Sequence, residues 1–235
     1  MFSDEEIFDA ELVGRITSNM KNGKAAGLDE LTSEHLKHCH PIIIAILCKL
    51  FNMFIATGRV PSSFGSSYTV PIPKCDVRSK GLTVDDFRGI SISPVISKVF
   101  ELSVLDRYNE YFETSDYQFG FKKQLSCCHV IFSVRSVIEH NIANGSTVNL
   151  SALDLSKAFD KMNHFALFVK LMERQFPVEL LKILEYWFSI SETCVRWQGQ
   201  FSYFFKLTVG TRQGGYFLRL FLLCLLTASS IEFDH

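Results

Sequence analysis

An excess of charge of either sign is missing from this sequence. In 235 residues, 24 lysines and arginines face 25 aspartates and glutamates, a formal net charge of −1. Composition therefore gives no global signal for a nucleic-acid partner, which must be argued from a local site. Proline and glycine are modest at 6 and 13 residues, which excludes collagen-like and low-complexity chains. No apolar stretch reaches the roughly 18–20 residues that cross a bilayer; the longest, residues 217–228, is interrupted by Arg219. CxxC pairs are absent as well. The seven cysteines are scattered and odd in number, a poor disulfide framework, so reduced thiols in an intracellular protein, cytoplasmic or nuclear, are expected. Cys127-Cys128-His129 looks like a metal fragment, but adjacent side chains cannot easily face one zinc ion. The amino-terminal residues, MFSDEEIFDAEL, are acidic and amphipathic, unlike a secretory signal.

What is present is apolar material: 47% hydrophobic and 21% charged residues, with mean hydropathy +0.15. That is ample to offset ordering entropy in one large domain or two small ones. Ile7, Leu12, Ile16 and Met20 recur at helical spacing and predict an amphipathic helix over 4–21. The stretch Lys21–Gly27 breaks it with a basic loop, and Thr32-Ser33 opens a helix that runs to about Thr57, which Pro41 kinks or splits. Residues 68–74, with prolines at 71 and 73, are extended. A polar loop follows, then a helix over 91–111. Residues 148–153 read as a short apolar strand ending on Asp154, 160–175 as a helix, and Pro177 as the start of another. Two β-rich runs, 193–198 and 204–209, flank a hairpin at Gly199-Gln200. Helices, strands with helices, then a hairpin predict an α+β protein.

The segment LSALDLSKAFDKMNH, residues 150–164, carries the chemistry. An aspartate directly after a strand has a rigid backbone and an accessible carboxylate. Asp154 and Asp160 stand too far apart to share one strand face, so Asp154 is a candidate cation ligand and Asp160 a helix cap. The same spacing also suits two caps in a βα turn.

Five ordered segments sharpen this reading. ALDLSKAFDKMNH resembles the first catalytic motif of the reverse transcriptases of non-LTR (LINE-class) retrotransposons. NGKAAGLDELTSEHLKH (22–38) resembles that family's amino-terminal fingers element, and VPIPKCD (70–76) with DDFRGISISPVISKVFE (85–101) its nucleotide-handling fingers segment. QFGFKKQLSCCHVIF (118–132) and GTRQGG (210–215) resemble two further motifs. The resemblance implies a partial right-hand polymerase fold: residues 1–65 as a helical extension of the fingers, 66–147 as fingers, 148–235 as an incomplete palm, and no thumb.

It also implies partners and roles: an RNA template, a DNA primer, and Mg2+ as cofactor. Asp154, helped by the Leu155 carbonyl, would be a metal ligand. Lys74 and Arg88 would reach the triphosphate, a lysine as a mobile point charge and an arginine as a fork. Phe159 would pack under the sugar, though a core aromatic fits it equally among 22 phenylalanines. Gln213 and Gly214 would lie under the nucleotide, and Lys122, Lys123, Lys21 and Lys24 would meet template phosphates.

The chain also departs from the family pattern. The family's paired aspartates are missing after Gln213, where Asp234 is the single aspartate, and Leu218-Arg219-Leu220 stands where a Leu-Ser-Pro stretch is expected. A frameshift or a gene-model error would give such a tail, and a C-terminally truncated domain is the expectation. With one carboxylate in place of three, the barrier to phosphoryl transfer rises by several kcal/mol. The domain is therefore expected to be inactive alone. A non-catalytic nucleic-acid-binding module and a non-functional translated remnant are the alternatives.

Overall fold

Caps and prolines decide where the first helices begin. The computed structural model describes residues 6–74, 83–113, 116, 118–120, 122, 124–154, 158–212 and 214–217. Helix α1 (Ala10–Asn19) starts at Asp9, whose carboxylate accepts the Leu12 N–H at 2.7 Å, and it buries Leu12, Val13 and Ile16. The expected helix over 4–21 is thus present but shorter. Pro41 splits the next one, as anticipated, into α2 (Ser33–Lys37) and α3 (Ile42–Thr57). At the start of α3 a missing proline N–H loses no hydrogen bond. Gly58, at φ 65°, ends α3 in the left-handed conformation a glycine adopts without strain. A single turn, α4 (Ser62–Gly65), leads into the sheet.

Strand β1 (Ser66–Pro73) and strand β2 (Phe87–Ile92) form an antiparallel pair, with a 3-10 turn at Val84–Asp86 between them. Here the sequence reading needs correction: residues 87–92 were expected in a loop and the start of a helix. Instead Ser91 lies opposite Thr69, their hydroxyls 3.1 Å apart, and Pro94 delays helix α5 to Val95–Arg107. The residue before a proline is kept out of the helical region, which explains the delay. Helix α6 (Cys127–Ala143) was not foreseen, and none of its described residues is buried. Helix α7 (His164–Glu173) begins later than expected: Asn163, not Asp160, caps it, accepting the Ala166 N–H at 3.1 Å. Helix α8 (Val178–Ser189) follows Pro177.

A carboxy-terminal hairpin forms, but its turn lies one residue earlier than Gly199-Gln200, and the run expected over 204–209 is a strand at Phe205–Lys206 alone. Strand β3 (Glu192–Trp197) turns through Gln198 and Gly199, at φ 48° and 82°, into β4 (Gln200–Phe201). Two positive φ values in a two-residue loop match the right-handed twist of a hairpin. After a break, β5 (Phe205–Lys206) pairs with the start of β3. The strand order is β2-β1-β3-β4, with β1 and β3 parallel from Ser66↔Glu192 to Thr69↔Val195. The protein is α+β.

The strand expected over 148–153 is not a strand. Leu150 and Leu153 are 70% and 92% exposed in an irregular segment that ends at the exposed Asp154. Strand-forming residues make a strand only against a ladder partner, and among the described residues none pairs with them.

Phe100 of α5 centres the core. The rings of Phe8, Phe51, Phe54, Phe64 and Trp187 surround it at centroid distances of 5.1–6.4 Å. Phe100 itself is fully buried. Edge-on and tilted packing of this kind adds to burial energy without requiring polar partners. The Trp187 indole N–H is satisfied by the Phe64 carbonyl at 2.8 Å.

Candidate nucleotide and nucleic-acid site

The open end of the β1–β2 pair presents two cations. Arg88 stands opposite Ile72, and the ladder continues one step past Pro73↔Phe87, where the Lys74 N–H donates to the Asp86 carbonyl at 2.8 Å. The Lys74 ammonium donates to the Asp85 carbonyl at 2.6 Å. Both residues are exposed. The prolines fit for a physical reason: the parallel pairing with β3 stops at Thr69↔Val195. Pro71 and Pro73 therefore lie where β1 extends past β3, and no ladder bond is lost for want of an N–H.

A second segment, 210–217, closes on this pair. It is stitched to residues 159–164 by Gly210 N–H to the Met162 carbonyl at 2.8 Å and Thr211 N–H to the Phe159 carbonyl at 2.9 Å. His164 Nε2 lies 2.6 Å from the Gly210 carbonyl oxygen. Gly210, at φ 74°, tolerates no side chain, since a Cβ would sit 2.6 Å from the Asp160 carbonyl oxygen. Gly214, at φ 139°, lies so close to β2 that a Cβ would collide with the Ser91 carbonyl oxygen. Ser91 belongs to the strand that carries Arg88.

The structure thus brings Lys74, Arg88 and Gly214 to one strand pair, and Phe159 to the segment that holds Gly214. Phe159 is partly buried. Asp154 sits apart, exposed in its irregular segment. Lys122 precedes α6, its ammonium 3.9 Å from the Asp116 carboxylate. Leu155, Lys123 and Gln213 lie outside the described residues. Lys21 and Lys24 are exposed, and the loop between them and α2 is anchored where the Tyr68 hydroxyl donates to the Ala26 carbonyl at 2.8 Å.

Sequence reasoning missed the pair that fixes the 210–217 segment. Glu101 of α5 is buried and accepts the Tyr216 and Phe217 N–H groups at 2.5 and 3.3 Å. Burial pushes its carboxyl up from the ordinary range, opposed by the Arg212 charge and those two N–H donors. Arg212 donates to the Phe64 carbonyl at 2.9 Å and lies 5.9 Å over the Trp187 ring. Burial lowers its pKa, with Glu101 opposing. A lone carboxylate inside the apolar run VFELSV was the available signal, because a charge there needs a buried partner. The cavity beside this pair, about 50 Å³, is far below the roughly 300 Å³ of a ligand site. It is packing space behind the segment.

A pair of catalytic Mg2+ ions requires several hard oxygen donors held together. Among the described residues no group of three His, Cys, Asp or Glu side chains could hold a metal ion. One exposed carboxylate at Asp154 does not fit a two-metal centre, and no chemical step follows from it. At Cys127-Cys128-His129 the two thiols are free and exposed, and His129 Nδ1 caps its own helix, 3.1 Å from the Ser126 nitrogen.

No described helix is long and apolar enough to cross a membrane. Residues 72–217, well over half of the chain, match the reverse transcriptase (RNA-dependent DNA polymerase) family. The chain is 24% identical, over 84% of its length, to the Retrovirus-related Pol polyprotein from the type-2 retrotransposable element R2DM of Drosophila melanogaster, and covers 18% of that protein. It is 24% identical over 74% of its length to the RNA-directed DNA polymerase from mobile element jockey of the same species, covering 19%. Against the probable RNA-directed DNA polymerase from transposon X-element, also of that species, it is 25% identical over 86% of its length, covering 22%. The chain spans about a fifth of the length of these relatives. The matched stretch takes in Lys74, Arg88, Asp154, Phe159 and Gly214, and with it this chain belongs to the reverse transcriptase family, in its non-LTR retrotransposon class.

Proposed function

We propose that this chain supplies the nucleotide- and template-handling part of a retrotransposon RNA-directed DNA polymerase, and that it does not extend a primer by itself. One observation carries the reading: Gly214 is packed against Ser91, on the strand that carries Arg88, with Lys74 at the end of the neighbouring strand. Two cations and a backbone without a side chain thereby share one sheet, which suits a triphosphate held beneath a base. Arg88 forks onto phosphate oxygens, and Lys74 supplies a mobile charge. Phe159 lies under the sugar, and Gln213 and Gly214 lie under the base. Lys122 and Lys123 meet the phosphates of an RNA template paired with a DNA primer. In right-hand terms, residues 1–147 are fingers and their extension, and the remainder is an incomplete palm. The protein acts inside the cell.

Catalysis is what this reading withholds. Asp154 is the candidate metal ligand of the chain, and no step is assigned to Mg2+ because the described donors do not form a centre for it. The test is a fluorescent deoxynucleoside triphosphate titrated into the whole chain, run beside a primer-extension assay with Mg2+ or Mn2+. Arg88→Ala and Lys74→Ala should each weaken triphosphate binding roughly 10-fold or more, as expected for a charge-assisted hydrogen bond of about 1.5–3 kcal/mol. No incorporation should appear. Triphosphate binding indifferent to both substitutions would overturn the binding roles. Incorporation that disappears in Asp154→Ala would overturn the claim of inactivity.

A further inference from the structure

Strand alternation sorts the sheet into two faces. Tyr68, Val70 and Ile72 of β1 share a face with Ile92, Ile90 and Arg88 of β2, their partners in register. Cys194 pairs with Tyr68, so Arg196, two residues on, lies on that face too, and so does its partner Phe201 on β4. At its centre the Arg196 guanidinium stands 5.7 Å from the Tyr68 ring and 5.6 Å from the Phe201 ring. The two rings meet edge to face at 5.7 Å. Tyr68 is pinned by burial and by its bond to the Ala26 carbonyl, whereas Phe201 remains 53% exposed.

A chain of net charge −1 has gathered Lys74, Arg88 and Arg196 on or beside this face. Its acids are engaged: Glu192 shares the face by alternation, and Asp86, its pKa lowered chiefly by hydrogen bonds from Thr83, lies near enough to Lys74 for the lysine charge to lower it further. The Glu192 carboxylate accepts from the Ser66 hydroxyl at 2.9 Å, and Asp86 accepts the Thr83 N–H at 2.8 Å. A guanidinium clasped by rings costs nothing in charge and holds its planar surface in a fixed direction. Such a clasp could serve only to close the hairpin, at roughly 0.5–1 kcal/mol for an exposed site. That role does not explain why Phe201 leaves half its ring in water beside an exposed arginine.

We propose that Arg196, Tyr68 and Phe201 form a stacking site for an unpaired nucleic-acid strand, with bases against the Phe201 ring and the guanidinium plane. The strand's phosphates run across β1 toward Arg88 and Lys74. Register sets the scale: two strands across and two residues along separate Arg196 from Arg88 by about 12 Å, a distance a short stretch of strand spans. A protruding ring can stack only on a base with a free face, so the site takes single strands and not duplexes, with little sequence preference. This inference rests on the proposed phosphate-binding role of Arg88.

The test is fluorescence anisotropy of the whole chain with a labelled oligouridine of roughly 12 nucleotides, within the site sizes usual for stacking platforms, and with an RNA duplex of equal length. Phe201→Ala and Arg196→Ala should each weaken single-strand binding about 5- to 100-fold, as loss of one stacked base does. Duplex and triphosphate binding should not change in Phe201→Ala. Phe201→Tyr should restore single-strand binding, and the melting temperature of every variant should match that of the parent. Single-strand binding unchanged in Phe201→Ala, or an equal loss for the duplex, would overturn the site. The two readings fail separately. Arg88→Ala that spares the triphosphate refutes the phosphate role of Arg88, while loss of oligouridine binding in Phe201→Ala still upholds the stacking site.

Discussion

Phe100 and Phe132 are both helical phenylalanines, and their surroundings are opposite. The first is fully buried in α5 among five aromatic rings, and the second is 71% exposed on α6. Around Phe100 the chain supplies its own partners, from Phe8 near one end to Phe217 near the other, in one continuous cluster. Along α6 Ile131, Phe132, Val137 and Ile142 are all more than half exposed. Gly214 belongs to the first environment: a Cβ there would collide with Ser91, and the segment that carries it is held at the Tyr216 and Phe217 N–H groups by the buried Glu101. Asp154 belongs to the second. A region whose partners lie among the described residues acquires a fixed arrangement, and a region without described partners leaves its side chains exposed.

The largest effect should come from the packed side of this contrast. Phe100→Ala removes the hub ring and should cost about 3–5 kcal/mol, read as a lower urea midpoint at unchanged slope. Glu101→Ala should cost nearly as much, about 3–5 kcal/mol, because it leaves the Arg212 charge buried without its partner. Replacing both together, as Glu101→Met with Arg212→Met, should cost less than the two single losses combined, and a double-mutant cycle measures the difference.

A smaller effect is expected at Glu34. Hydrogen bonds hold its carboxyl at about 2, chiefly the Gly23 backbone N–H. The folded value lies below the ordinary one, so its contribution is complete above the normal glutamate range and fades as pH falls toward 2. The melting temperature should therefore drop over that acid window, and less so in Glu34→Gln. The smallest effect belongs to α6. Phe132→Ser should change stability by less than about 0.5 kcal/mol while lowering self-association in size-exclusion chromatography. A large loss of stability there would mean that α6 is packed after all, and the comparison would fail.

Local chemistry was legible wherever one residue dictates one conformation. Pro41 and Gly58 each marked a boundary that the structure keeps, and VPIPK marked β1. The misreadings share a cause. β2 is short and its identity depends on β1 alongside it, which periodicity cannot see. The strand foreseen at 148–153 had the right side chains and no ladder partner among the described residues. For α6, the exposed apolar residues spread around the helix and left no single stripe to detect. In the candidate site, the motif residues Lys74, Arg88 and Gly214 were named from the sequence. Glu101 and Arg212 were not, because their meaning lies in an electrostatic pairing across 111 positions of chain that only the folded core reveals.

The parallel pairing of β1 with β3 has a consequence for how the protein is made. Ser66 and Glu192, whose side chains bond, stand 126 positions apart. Helices α1 to α3 and the β1–β2 pair can form from neighbouring stretches of chain, but the parallel pairing must wait until residues 192–195 have been made. Long-range parallel strands of this kind assemble slowly and expose sticky edges in the meantime. Synthesis of this protein should therefore depend on chaperones during the interval between the emergence of β1 and the arrival of β3.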